Sequence, residues 1–247
     1  MRYHHRSKNS AIFIVPSMIT VASMCSGFYA MVQAVSGHIM LACVAVFISM
    51  VLDGLDGRIA RLTKTSSPFG AELDNLADMV AFGVAPSLIT YLWYGNQFGA
   101  TTGVAISFIY CACVAIRLAK FQTNSTRYSK YFFSGLPSPA AAGLVVGYIY
   151  LTNEYKDYYS WLNSDVTRYV GVALLILTAL TMISNIKFYS FKEFHLHKKA
   201  PFRTLLISLL LLVLVLNFPD IVVYSFFVVY LCVSYLMWLF RISYKTP

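Results

Sequence analysis

Residues 53–78 read DGLDGRIARLTKTSSPFGAELDNLAD, and the stretch straddles the join between two apolar runs, roughly 39–55 and 70–94. Each run is close to the ~20 residues a helix needs to cross a bilayer. Five of the ten acidic residues, Asp53, Asp56, Glu72, Asp74 and Asp78, fall within these 26 positions. Carboxylates at or near membrane depth are costly and need partners. Acids gathered between two spans therefore mark a functional site on a membrane protein.

Outward from this stretch, further apolar segments run over 11–35, 99–121, 137–152, 167–185, 203–217 and 220–240. They are continuous rather than alternating, which favours helices over a barrel. Segments 137–152 and 203–217 are short and need tilting, local thinning or flanking residues to span. The whole chain of 247 residues is 58% hydrophobic and 12% charged. A soluble domain carries about 25% charged residues, so a water-soluble globule, a disordered chain and a collagen-like repeat are excluded. The expected fold class is all-α, a polytopic integral membrane protein of about eight transmembrane helices.

The net charge of +9 arises from 19 basic against 10 acidic residues. Taking alternate loops in turn, seventeen Lys and Arg fall on one side and only Lys156 and Arg168 on the other. By the positive-inside rule the termini and the acidic stretch face the cytoplasm. The basic excess then belongs beside anionic lipid, and nucleic acid is not an expected partner. The N-terminal stretch Arg2-Tyr3-His4-His5-Arg6 suits a headgroup surface. No cleavable signal peptide is evident, and the first apolar run is long enough to span. Cys25, Cys43, Cys111, Cys113 and Cys232 all lie in apolar segments without metal-ligand spacing and read as packing residues. Tyr and Trp near segment ends, such as Trp93 and Tyr94, read as interfacial anchors. One membrane domain is expected: a basic juxtamembrane segment over 1–10, a catalytic region over 11–190 and a C-terminal helix pair over 191–247.

Spacing sharpens the acidic site. Asp53 and Asp56 are three apart and Asp74 and Asp78 four apart, so each pair shares one helix face. A short loop makes the two helices antiparallel neighbours, and the four carboxylates converge. Their repulsion at low dielectric is relieved by hard divalent cations, with oxygen ligands pointing to magnesium or manganese rather than zinc. Gly57 lets a pyrophosphate approach the backbone, Ala60 avoids crowding, and Arg61 one turn on suits a phosphate fork. Ser67 and Gly70 lie in the connecting turn, and Glu72 faces away as a structural or interfacial acid. Helix caps and surface ion pairs account for Asp74 and Glu72, but not for two spaced pairs bracketing Gly57 and Arg61. Ser66 and Ser67 have no histidine partner, which disfavours a nucleophilic serine.

The stretch matches D-x-x-D-G-x-x-A-R-x8-G-x-x-x-D-x-x-x-D at every one of its eight fixed positions. It resembles the signature of the CDP-alcohol phosphotransferases. Phe82-Gly-Val-Ala-Pro86, Arg117-Leu-Ala-Lys120-Phe121, Gly135-Leu-Pro-Ser-Pro-Ala-Ala-Ala142 and Ser184-Asn-Ile-Lys187 resemble the phosphatidylserine synthase branch, over about residues 11–190. Pro16-Ser-Met-Ile-Thr20 and Gly27 resemble that branch's opening helix, although Ser17 and Ser23 stand where Asn is common.

This resemblance implies the family's fold, and transfer of phosphatidyl from CDP-diacylglycerol to the hydroxyl of L-serine with release of CMP. It implies that Asp53, Asp56 and Asp74 hold two divalent cations, Mg2+ or Mn2+. Asp78 would contribute to the second and act as general base, without a covalent enzyme intermediate. Gly57, Arg61 and Ser67 would contact the CDP portion, as would Ser17 and Thr20. The resemblance also implies a homodimer in the cell (inner or plasma) membrane. Serine's carboxylate needs a cation. Arg117 and Lys120, three apart at the cytoplasmic end of the fourth segment, are the candidates, with Asn124, Arg127 and Lys130 behind them. The competing reading of the two is ordinary positive-inside topology. Other acceptors, glycerol-3-phosphate or an inositol phosphate, would want more cations around the pocket. An ion-coupled transporter would want a broken midplane helix or an inverted repeat, and neither is visible.

Overall fold

The computed structural model describes residues 10–63, 67–123, 132–184, 186–189, 214 and 217–240. The basic N-terminal stretch, Ser66, Asn124, Arg127 and Lys130 lie outside the described residues, as does nearly all of 203–217.

Helix α1 spans Ser10–Val35 and α2 Ile39–Thr63. The turn between them uses Gly37 at φ 83°, where a side chain would be strained. The expected third segment is a single composite span: α3 (Pro68–Asp78), a π-helical turn (Met79–Val84) and α4 (Ala85–Tyr94). Then come α5 (Ala100–Thr123), α6 (Ser138–Tyr155), α7 (Asp165–Ile183) and α8 (Pro219–Leu239). Among the described residues, six helices are long and apolar enough to cross a membrane: α1, α2, the α3–α4 composite, α5, α7 and α8. The chain is thus an all-α polytopic membrane protein. A short antiparallel ribbon interrupts the helices, with β1 (Phe132–Ser134) paired to β2 (Lys187–Tyr189).

Helix α6 is the hub. Eleven of its 18 residues are buried, among them Ala140, Ala141, Ala142, Gly143 and Gly147. Small residues allow helix backbones to approach closely, and α2, α4, α7 and α8 all pack on α6. Outward-facing positions are apolar, such as Ile48 at 51% and Phe108 at 65% exposure, as lipid contact requires. Trp93, expected as an interfacial anchor, is half-buried and meets Tyr148 edge-on at 6.4 Å, so it contributes to packing.

Helices α1 and α2 are joined by hydroxyls. Ser23 Oγ lies 2.8 Å from Ser49 Oγ and 3.0 Å from the Ser49 carbonyl, while Ser49 Oγ lies 2.9 Å from the Ser23 carbonyl. Ser26 donates to the Ala45 carbonyl at 2.8 Å. Such interhelical bonds fix the register of two spans where apolar packing alone is permissive.

Candidate active site

The expected end of the second segment, near residue 55, falls short. Helix α2 continues two further turns to Thr63, because Leu55, Arg58, Ala60, Arg61 and Leu62 are good helix formers that carry the helix on beyond the apolar run. Asp56, Gly57, Ala60 and Arg61 are therefore all helical, and with Asp53 they occupy one face. Ser67 caps α3, its Oγ accepting the Gly70 N–H at 3.0 Å, and Pro68 opens the helix. Gly70 accordingly sits in the first turn of α3 rather than in the loop.

The two acid-bearing helices meet through their carboxylates rather than along their length. Helix α1 packs on both and forms a third wall. The gap between them is a cavity of about 200 Å³ lined by Pro16, Ser17, Thr20, Asp56, Gly57, Ala60, Arg61, Ser67, Gly70, Ala71 and Asp74. Ser17, Thr20, Gly57, Arg61 and Ser67 thus share one space. Pro16 and Ala71 join them; Pro16 is marked only as part of the opening-helix resemblance, and Ala71 has no signal beyond its small side chain. Thr20 donates its hydroxyl to the Pro16 carbonyl at 3.1 Å, and lies beside the Asp56 carboxylate.

Carboxylate oxygens of Asp53, Asp56 and Asp74 lie within 4.8 Å of one another. Asp53 is also in hydrogen-bonding contact with Asp78. Two like charges at this separation repel by roughly 3 kcal/mol even at an effective dielectric near 20. Several such pairs exceed what neutral hydrogen bonds offset, at about 1 kcal/mol each. Only shared protons or a cation relieve the cluster. Asp56 is 4% exposed, and its Oδ2 is buried with no hydrogen-bond partner. An orphaned buried carboxylate oxygen inside an all-oxygen donor set fits a hard divalent cation.

Arg117 of α5 acts electrostatically on Asp78. Its Nη1 donates to Ser138 Oγ at 2.9 Å, and Ser138 is fully buried at the start of α6. Neither Arg117 nor Lys120 lines the cavity. Glu72 is exposed and accepts a hydrogen bond from Gln122 of α5, in keeping with a structural acid.

Ser138 is held in place by two stretches far apart in sequence. Gly135 has φ 83°, and a Cβ there would stand 2.2 Å from the Met182 carbonyl oxygen. Its N–H donates to the Ile186 carbonyl at 2.9 Å, and that of Leu136 to the Thr181 carbonyl at 3.3 Å. The Gly135-Leu-Pro-Ser-Pro stretch is thereby clamped to the end of α7, beside Ser184. Ser138 had no signal of its own beyond membership of that stretch.

Residues 13–180 match the family model for CDP-alcohol phosphatidyltransferase. The chain belongs to this family. Within it, the chain is 38% identical over 229 residues to a Helicobacter pylori protein named CDP-diacylglycerol–serine O-phosphatidyltransferase, covering 93% of this chain and 92% of that one. A Methanocaldococcus jannaschii protein of the same name is 34% identical over 180 residues, covering 72% and 77% of the two chains. One from Saccharomyces cerevisiae, also of that name, is 38% identical over 151 residues, 55% and 53% of the two. All four aspartates of this phosphatidyltransferase lie inside the family match, whereas α8 lies beyond it.

Proposed function

We propose that the protein transfers the phosphatidyl group of CDP-diacylglycerol to the hydroxyl of L-serine, giving phosphatidylserine and CMP. The observation that carries this reading is the convergence of four aspartates beside a small cavity walled by Ser17, Thr20, Gly57, Arg61 and Ser67. The names of the relatives supply the acceptor.

In this reading Asp53, Asp56 and Asp74 hold two divalent cations, Mg2+ or Mn2+, with Asp78 contributing to the second. When bound, the cations neutralise the pyrophosphate and stabilise the phosphate charge of departing CMP. Arg61 forks onto the pyrophosphate, Gly57 lets it approach the α2 backbone, and the Ser67 hydroxyl retains a hydrogen to donate while its oxygen caps α3. Ser17 and Thr20 close the α1 side of the same space.

Asp78 is the general base, and accepts the serine hydroxyl proton as the serine oxygen bonds to the diacylglycerol-bearing phosphorus. The bond from that phosphorus to the bridging oxygen breaks, and the electron pair leaves with CMP. One in-line displacement suffices, because among the described residues no histidine stands beside the cluster to activate a serine. Arg117, close enough to act on Asp78 and steadied by Ser138, pairs with the serine carboxylate, and Lys120 one turn further along α5 supports it. The distribution of Lys and Arg supports a cell-membrane protein with both termini and the active site toward the cytoplasm, and family membership supports a homodimer.

Purified protein in mixed micelles should release CMP from CDP-diacylglycerol when L-serine is supplied with Mg2+ or Mn2+, and not when the metal is chelated. In a panel with glycerol-3-phosphate and an inositol phosphate, preferential use of either phosphorylated alcohol overturns the serine assignment.

A further inference from the structure

The composite third span is not one regular helix. Its π-helical turn begins at Met79, the residue after Asp78, and the Ala85 N–H donates to the Val80 carbonyl five residues back. Such a turn accommodates about one extra residue, which shifts the chain before it by roughly 100° of helical phase against the chain after it. The acidic face carrying Asp74 and Asp78 and the core face carrying Ala85 and Ile89, both fully buried, are thus set independently.

The cause is local. Pro86 has no N–H to give to the carbonyl four residues back, that of Phe82. The fully buried Tyr110 of α5 donates its hydroxyl to that carbonyl at 3.2 Å. Side-chain hydroxyls serve the adjoining carbonyls: Ser87 donates to Gly83 and Thr90 to Pro86, each at 2.7 Å. Helix α1 also presses on the turn, where a Cβ at Gly27 would stand 2.7 Å from Ala81 Cα. Tyr110 and Arg117 are seven residues apart and so share one face of α5. One residue grips the turn and the other faces the aspartate that precedes it.

We propose that Tyr110 is a positioning residue: by holding the π-helical turn through the Phe82 carbonyl, it sets the helical phase at which Asp78 meets Asp53. The proposal rests on the role given to Asp78 above. A buried tyrosine that merely filled space would tolerate loss of its hydroxyl. One that fixes phase would pass the loss on to the carboxylate cluster and, to a smaller degree, to the cavity wall that Gly70, Ala71 and Asp74 form on the same segment.

Three variants of the full-length protein test this, with CMP release, Mn2+ binding by electron paramagnetic resonance, and thermal melting measured for each. Tyr110→Phe should lower kcat about ten- to hundred-fold and weaken Mn2+ binding, with a smaller rise in the KM for CDP-diacylglycerol and a serine KM within about two-fold. Tyr235→Phe removes a comparable hydroxyl contact, that with Thr181 at 2.5 Å between α7 and α8, and should leave kcat and Mn2+ binding unchanged. Pro86→Ala restores the missing N–H and favours a regular helix. It should melt at or above the wild-type temperature while losing turnover about ten-fold or more and binding Mn2+ less tightly. Wild-type turnover and Mn2+ binding in either Tyr110→Phe or Pro86→Ala overturns the proposal. So does a loss in Tyr110→Phe that Tyr235→Phe reproduces in full. Absence of serine-dependent CMP release in the wild type would sink the assigned reaction instead, and the Mn2+ titrations would still decide the role of Tyr110.

Discussion

Helix α2 carries two hollows on opposite faces. One is the cavity of about 200 Å³ at Asp56, Gly57, Ala60 and Arg61. The other is a groove of about 630 Å³ lined by Val44, Phe47, Ile48, Met50, Val51 and Leu52, with Gly147 and Tyr150 of α6 and Pro219, Val223, Phe227 and a single acid, Asp220, of α8. Val44 and Asp53 are nine residues apart, about two and a half turns, so the faces point in opposite directions. The larger hollow is almost wholly apolar, and Ile48 and Val51 at its edge are 51% and 62% exposed. In a membrane helix such a surface is wetted by lipid. The smaller hollow concentrates buried charge. Size alone points to the lipid-facing hollow; the cost of placing four carboxylates together points to the other face.

The contrast is broken most severely at the carboxylates. Asp78→Asn keeps the shape and removes the proton acceptor. Turnover should fall by about 10²–10⁴-fold while CDP-diacylglycerol binding, measured by equilibrium dialysis, stays within about two-fold. Near-normal turnover would remove Asp78 from the chemistry. Arg61→Ala comes next. A charge-assisted contact to phosphate contributes about 1.5–3 kcal/mol, so CDP-diacylglycerol affinity should weaken roughly ten- to a hundred-fold. An unchanged affinity would mean that the pyrophosphate lies elsewhere.

Arg117→Ala asks whether the polar side extends to α5. The serine KM should rise about ten-fold while that of CDP-diacylglycerol changes less, and Arg117→Lys should recover part of the loss without the fork geometry. An equal rise in both constants would make Arg117 a structural partner of Ser138 alone.

The aspartate quartet was legible because its three- and four-residue spacings are statements about helix faces, and because acids are otherwise scarce there. The clustering of Ser17 and Thr20 against α2 was visible only through resemblance. Physically it depends on the Ser23–Ser49 clasp, which joins residues 26 apart in sequence. The apolar pattern stops near Leu55 while helix propensity does not, so α2 runs on to Thr63, past the apolar segment and through the turn that carries Arg61. Antiparallel neighbours were a sound expectation for a short loop. The space left between them follows from Gly57, Ala60, Gly70 and Ala71, which present little to pack. The π-helical turn leaves no trace in a 3.6-residue period, and Pro86 was its only local sign. Ser138 could not be found from sequence, since its partner Arg117 is 21 residues away on another helix.

The smallest expected effect sharpens the comparison from the apolar side. Ile48 lines the groove on α2 and is half exposed, so truncating it exchanges contact with lipid and neighbours for slightly more lipid contact. Ile48→Ala should leave kcat and both KM values within about two-fold and lower thermal stability only slightly, well below the 2–5 kcal/mol of a fully buried Ile→Ala change. The measurement matters because the two faces share one backbone. If the groove seated an acyl chain of the reacting lipid, removing its wall would raise the CDP-diacylglycerol KM, and shorter acyl chains would lose their sensitivity to the substitution. Constants that stay flat across a series of chain lengths would assign the groove to the bilayer and leave catalysis to the face carrying the aspartates.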